Sequence, residues 1–136
     1  MKENIVYKIN HKITTDAYID VLNRSGLGER RPVNEPDRIK TMLENSNLTI
    51  TAWLENNLIG VSRSVTDFAF CCYLSDLAVD KEFQNFGIGK KLVQLTKEEI
   101  GDKVMLLLLS APAAMDYYPK IGFEKSDNAF IINRKK

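Results

Sequence analysis

The chain has 136 residues, 44% hydrophobic and 27% charged, with a formal net charge of +1. That is enough chain for one domain with a real core, and the balanced charge offers no field to gather nucleic acid or an anionic membrane over the whole surface. The opening MKENIVYKIN has no apolar run, so no secretory signal is read there. The longest unbroken apolar run, Val104–Leu109, is too short to cross a bilayer, and the cytoplasm is the expected compartment. Cys71 and Cys72 are adjacent, so on a strand they face opposite ways and make neither a disulfide framework nor a metal site. His11 has no Cys or His near it, and no metal is expected.

Ile5–Ile9 alternates apolar and polar residues and reads as a first strand. Thr15–Leu22 has helical spacing, with Ala17, Val21 and Leu22 on one face and Thr14 or Thr15 as the cap. Ser25-Gly26-Leu27-Gly28 breaks the chain, and Glu29-Arg30-Arg31-Pro32 continues the loop. A second short helix is read over Asp37–Glu44, its apolar stripe being Ile39, Met42 and Leu43. Leu48–Leu54 and Leu58–Val65 form a hairpin around Glu55-Asn56-Asn57. After a turn at Thr66-Asp67, Phe68–Val79 is a long strand rich in aromatic and branched side chains, which makes three strands of an antiparallel meander.

The pattern changes after Val79. Asp80–Phe86 is polar without a period. Gly87–Ile100 is a helix with Ile88, Leu92, Val93, Leu95, Thr96 and Ile100 on one side and lysines opposite, stopped at Gly101-Asp102. Val104–Leu109 reads as a strand covered on both faces, so strand, helix and buried strand make a crossover unit. Ala111–Tyr118 is a short helix capped by Ser110, with Pro112 in its first turn and Pro119 ending it just after Tyr118. Phe123–Asn133 supplies one or two last strands. The order is β-α-α-β-β-β-α-β-α-β.

Gln84-Asn85-Phe86-Gly87-Ile88-Gly89-Lys90 sets two glycines where a loop enters a helix. The first amides of a helix have no intrahelical partner and carry the positive end of its dipole. Glycine there lets a bulky anion approach the backbone, and Lys90 and Lys91 add charge beside it. The dinucleotide pattern Gly-x-Gly-x-x-Gly fails because position 92 is Leu. The Walker pattern fails as well, and a meander strand is a poor start for a dinucleotide fold.

These residues resemble the Gln/Arg-x-x-Gly-x-Gly/Ala signature of the GNAT superfamily of N-acetyltransferases, following a strand that ends Asp76-Leu77-Ala78-Val79. A second block, Ala114-Met115-Asp116-Tyr117-Tyr118-Pro119-Lys120-Ile121-Gly122-Phe123, resembles the family's Ala-x-x-Phe-Tyr-x-Lys-x-Gly-Phe, about one helix and one strand downstream. The resemblance is close from Leu48 to Phe123. It implies an α+β, three-layer fold in one domain, with a mixed central sheet, an antiparallel meander followed by a β-α-β crossover, and helices on both faces.

The resemblance also implies acetyl-CoA as co-substrate. Amides of Asn85, Phe86, Gly87, Ile88, Gly89 and Lys90, with Gln84, would hold its pyrophosphate. The main chain of Leu77, Ala78 and Val79 would pair with the pantetheine arm in a slot where two strands splay apart. Ser110, standing where many relatives carry Asn, and Tyr117, where Phe is usual, would also meet the cofactor. Tyr118 aligns with the tyrosine that donates a proton to the leaving thiolate, a role a neutral phenol can fill at pH 7. Asp76 is the candidate base for the incoming amine; it is alternatively a residue that orients a loop or binds a cationic acceptor. Glu55 and Asp67 are read as turn residues. The acceptor pocket falls to Asn23–Ser46, including Arg30, Arg31 and Asp37, with Arg63 and Tyr73 as further walls. The acceptor is expected to be an amine of a small molecule or peptide. A non-catalytic acyl-CoA sensor is the rival reading, and a homodimer through Ala129–Ile132 is within the family's habits.

Overall fold

The structure, a computed structural model, describes residues 4–136. In chain order the elements are β1 (Ile5–Ile9), α1 (Thr15–Ser25), α2 (Pro36–Glu44), β2 (Leu48–Leu54), β3 (Asn57–Thr66), β4 (Cys71–Val79), α3 (Ile88–Ile100), β5 (Met105–Leu107) and α4 (Tyr117–Lys120). The sheet runs β1-β2-β3-β4-β5. Its first three pairings are antiparallel and β4–β5 is parallel. The mixed sheet and the helical crossover through α3 are as the sequence implied.

Local chemistry sets these boundaries. Thr14 caps α1, its side chain accepting from the Ala17 amide at 3.1 Å, and Gly26 ends the helix at φ 90°. Pro36 begins α2 at a position that needs no donor. Phe68–Phe70 lie outside β4 because the Asp67 carboxylate takes the amides of Ala69, Phe70 and Cys71 and bends the chain there. Those bonds, the one from Phe70 first, hold the Asp67 carboxyl down to about 2. Cys71 is exposed and Cys72 buried.

Apolar side chains pack on both sides of the sheet. Toward α3 the core contains Ile50, Ile59, Cys72, Ile88 and Leu92. Toward α1 and α2 it contains Tyr18, Val21, Leu22, Ile39, Val61 and Ala78. Sheet and flanking helices thus make three layers.

One irregularity matters for function. Arg63 pairs with Asp76 and the next residue, Ser64, pairs with Leu74, so Ser75 is an extra residue on β4. The bulge reverses the strand's inward face. Cys72 points into the α3 core and Ala78, an even number of residues later, into the α1 core. Asp76 follows Ala78 and faces α1.

The end of the chain departs from expectation. β5 is three residues long, and Met105, Leu107 and Leu109 are exposed rather than covered on both faces. β5 is the sheet's edge, and no outer strand extends its ladder. Among the described residues Phe123–Asn133 forms no strand. A branched run becomes a strand only where it finds a partner, and here Phe130 and Ile132 are fully exposed. The stretch expected as a dimer surface is therefore exposed.

The segment Ala111–Tyr118 is not one helix. Pro112–Ala114 is a single 3-10 turn and α4 begins at Tyr117. Ser110 does not cap it, since its hydroxyl donates to the Ala111 carbonyl at 2.7 Å. Pro119 does not end α4 either. It sits in the first turn, where no intrahelical donor is needed.

Candidate active site

β4 and β5 touch only at Cys71–Tyr73 and Met105–Leu107. Beyond Tyr73 the strands part, while β4 stays paired to β3 as far as Val79. The other edge of Leu77, Ala78 and Val79 is consequently open, and these residues line one large cleft together with Leu106–Ser110 and Tyr118. Its volume is about 1340 Å³. An extended chain laid along this edge could add to the sheet by main-chain hydrogen bonds.

At the far end of β4 the chain turns into α3. Asp80 starts the turn, its carboxylate accepting from the Glu82 amide at 2.9 Å and pairing with Arg24 of α1. Lys81–Phe86 forms a 3-10 turn that the sequence pattern left without structure. Within it, Gln84 donates to the Val79 carbonyl at 3.2 Å, tying the turn to the strand end. Phe86 stacks edge-on against Phe83 with ring centres 5.8 Å apart. Asn85 is exposed.

The two glycines serve different ends. Gly87 lies at φ 74°, in left-handed space that a side chain resists, and a Cβ there would meet no atom within 4 Å. The amides of Ile88, Gly89 and Lys90 precede the first helical bond, which Lys91 makes to the Gly87 carbonyl at 3.1 Å. They form the donor end of a thirteen-residue helix with open space before it. This arrangement fits a phosphate group. Gly89 is needed for packing instead: a Cβ there would come within 2.5 Å of the Tyr117 hydroxyl. Tyr117 thus stands over the first turn of α3.

Tyr118 stacks edge-on between Tyr117 and Phe123, with ring centres 5.3 and 5.6 Å away. Burial, and then the neighbouring Tyr117, raise its phenol above the usual 10.0, while the Arg31 charge pulls the other way. The hydroxyl therefore keeps its proton at neutral pH. Ser110 lies across the same cleft.

Asp76 is not placed to take a proton from an amine. It is fully buried. Its Oδ1 accepts from Arg31 Nε at 2.5 Å, and its Oδ2 accepts from Arg63 Nε at 2.7 Å and from the Tyr18 hydroxyl. Burial alone would raise the carboxyl, but the Arg63 bond and charge, then Arg31 and Tyr18, outweigh it and hold the carboxyl below its ordinary value. A carboxylate bound this way is a weak base. It orients a loop instead: Arg31 also donates to the Ser75 carbonyl at 2.7 Å, and Arg63 to the hydroxyls of Ser46 and Ser75 at 2.8 and 3.0 Å. The connection from α1 to α2 is thereby pinned to the bulge in β4.

Tyr18 and Ser75 escaped the sequence reading. Tyr18 did carry a signal, since a tyrosine on the buried face of a helix needs a partner for its hydroxyl. The bulge at Ser75 carried none. Asp37, expected in the pocket, is exposed at the first turn of α2 and is not part of the cleft lining. Among the described residues no group of His, Cys, Asp and Glu could hold a metal ion, and no helix is long and apolar enough to cross a membrane.

A strand edge opened by a diverging parallel neighbour, leading to a glycine-started helix, defines a protein that can hold an extended ligand ending in phosphate. Comparison with known proteins gives the family. The sequence model of the acetyltransferase (GNAT) domain matches residues 23–134. GCN5-related N-acetyltransferase 2, chloroplastic, of Arabidopsis thaliana is 36% identical over 75 residues, which is 52% of this chain and 28% of that protein. The uncharacterized N-acetyltransferase ycf52 of Gracilaria tenuistipitata var. liui is 30% identical over 129 residues, 85% of this chain and 68% of its own length. A GNAT-family acetyltransferase from Streptococcus pneumoniae TIGR4 superposes with a TM-score of 0.74 at 20% identity, covering 96% of this chain and 99% of that one. An aminoglycoside N-acetyltransferase in complex with CoA gives 0.70 at 14% identity, covering 97% and 95%. The two solved structures speak for the fold alone. The chain belongs to the GNAT family of acetyltransferases.

Proposed function

We propose that the protein moves the acetyl group of acetyl-CoA directly to a primary amine of a small molecule or peptide, through a tetrahedral intermediate. The observation that carries this reading is the open edge of Leu77–Val79, in one cleft with the Tyr118 ring and with Gln84 of the turn that leads into α3. The main chain of Leu77–Val79 would hold the pantetheine arm, and the amides of Ile88, Gly89 and Lys90 the pyrophosphate, with Tyr117 and Ser110 beside them. A thioester supplies an activated acyl group with a thiolate as leaving group.

Tyr118 would donate its phenolic proton to the departing sulfur. With Asp76 bound by two guanidinium groups, no carboxylate of β4 serves as base. The amine proton passes to water instead. Two arginines around one carboxylate leave an excess positive charge beside the cleft, and such a charge favours the neutral amine over the ammonium. Replacing Tyr118 with Phe should lower kcat by about 100-fold or more while leaving the KM for acetyl-CoA near its wild-type value, as measured by thiol release. A variant with unchanged kcat would remove Tyr118 from the mechanism.

A further inference from the structure

The cleft is lined by much more than the open edge of β4. The connection from α1 to α2 contributes to it, and Arg30, Arg31, Arg38 and Arg63 all reach the lining. Among the described residues the whole lining has eight cationic side chains and only two carboxylates, Glu29 and Glu124. Four of these cations, Arg30, Arg31, Arg38 and Arg63, come from the α1–α2 connection, α2 and β3 and not from the turn that leads into α3.

Asp76, beneath these arginines, gives an incoming cation nothing. Both oxygens of Asp76 are already taken by Arg31, Arg63 and Tyr18. That carboxylate neutralises one of its two guanidinium groups and leaves the other in excess. Arg38 has only a 3.2 Å pair with Glu35, both side chains being exposed, which is a weak claim on its charge. Arg30 makes no ion pair among the described residues, and its guanidinium is exposed. A polycationic amine entering here would meet four arginines against the carboxylates of Glu29 and Glu124. An amine with an acid group would find planar donors suited to carboxylate or phosphate.

We propose that the acceptor is an amine that carries its own carboxylate or phosphate, seated against Arg30 and Arg38, and that polycationic amines are poor acceptors. This rests on the acetyltransferase reading above. Arg30 and Arg38 would hold the acid group, while the excess charge at Arg31 and Arg63 keeps the amine in its neutral form.

The test uses the full chain, with thiol release from acetyl-CoA as the readout. Charge-matched acceptors are compared: L-phenylalanine with L-phenylalaninamide, phosphoethanolamine with ethanolamine, and spermidine as the polycation. In at least one pair the acidic member should have the higher kcat/KM, by about tenfold or more, and which pair responds tells carboxylate from phosphate. Arg30→Gln with Arg38→Gln should raise KM for that acidic acceptor by about tenfold and leave its kcat, and the kinetics of its neutral partner, unchanged. Lysine at both positions should restore much of the loss. Equal use of both members in each pair, a preference for spermidine, no turnover of either acidic amine, or indifference to the double substitution overturns the inference while the acetyltransferase reading survives. Wild-type protein that is folded but does not bind acetyl-CoA overturns both together.

Discussion

Asp76 illustrates how a single side chain can be read as important while its work stays open: of the two roles the sequence offered, its bonds to Arg31 and Arg63 favour orienting a loop over taking a proton. A carboxylate on an inward position of a strand must be paired, because burying an unpaired charge costs far more than the strand can return. That much follows from the pattern Leu74, Asp76, Ala78. The identity of the partners does not, since they come from α1, from the loop after it and from β3. Removing the carboxylate with Asp76→Asn leaves two guanidinium groups facing each other and should cost about 3–5 kcal/mol, measured by denaturant unfolding. The same residue sets an acid limit. Its folded carboxyl lies below its unfolded value, so its contribution is complete above the unfolded value of about 4 and fades as pH falls through the lowered folded one. The wild-type unfolding midpoint should therefore drop below about pH 4, and the drop should be smaller in Asp76→Asn.

Tyr118 makes a prediction of the opposite kind. Its phenol is raised, first by burial, so it stays protonated well into the alkaline range. With the amine proton passing to water, kcat/KM should climb with pH as the acceptor amine deprotonates and should show no fall before about pH 10. A downturn near pH 8 would mean that a different acid donates the proton. At Gly89 the added methyl of Gly89→Ala would force the Tyr117 hydroxyl aside. The displaced group is the end of a flexible side chain, so the expected stability loss is small, about 1 kcal/mol.

At the scale of elements, the work is done by two interruptions of regular structure. The bulge at Ser75 turns the second half of β4 toward α1 and frees the Ser75 carbonyl for Arg31. Deleting Ser75 would make Arg63–Asp76 and Ser64–Leu74 successive rungs of a continuous ladder, with Asp76 still facing α1, and would remove the carbonyl and hydroxyl that accept from Arg31 and Arg63. The expected result is a chain that folds but is destabilised by about 1–3 kcal/mol in denaturant unfolding. The parting of β4 from β5 is the second interruption. Periodicity finds strands because alternation repeats locally, so β1 and β2 were legible to the residue, and α2 and β3 to within one. It does not report where a strand leaves its neighbour or gains a residue. The parting could be expected only because the sequence resembled proteins that have it.

For the molecule as a whole, three layers and two cores put the open edge of β4, the ring of Tyr118 and Gln84 of the turn before α3 into one cleft. The layers were legible because helical stripes and alternating strands each declare a buried face. The last quarter of the chain was not. Phe123–Asn133 has strand composition but no ladder, and β5 keeps a bare edge, because pairing depends on what lies alongside and not on the segment itself. The glycine-started helix was legible from its two glycines, whereas the arginines around Asp76 had to be seen assembled from the loop and β3.

The central claim is that Gly87 and the amides after it receive the phosphates of acetyl-CoA while Tyr118 acts only in the chemical step. Calorimetric titration with acetyl-CoA of the wild type, Gly87→Trp and Tyr118→Phe tests it most directly. A tryptophan at Gly87 would need a strained left-handed backbone and would fill the open space before α3. The account predicts binding by the wild type and by Tyr118→Phe with similar affinity, and none by a folded Gly87→Trp. Undiminished binding by Gly87→Trp, or no binding by the folded wild type, would contradict it.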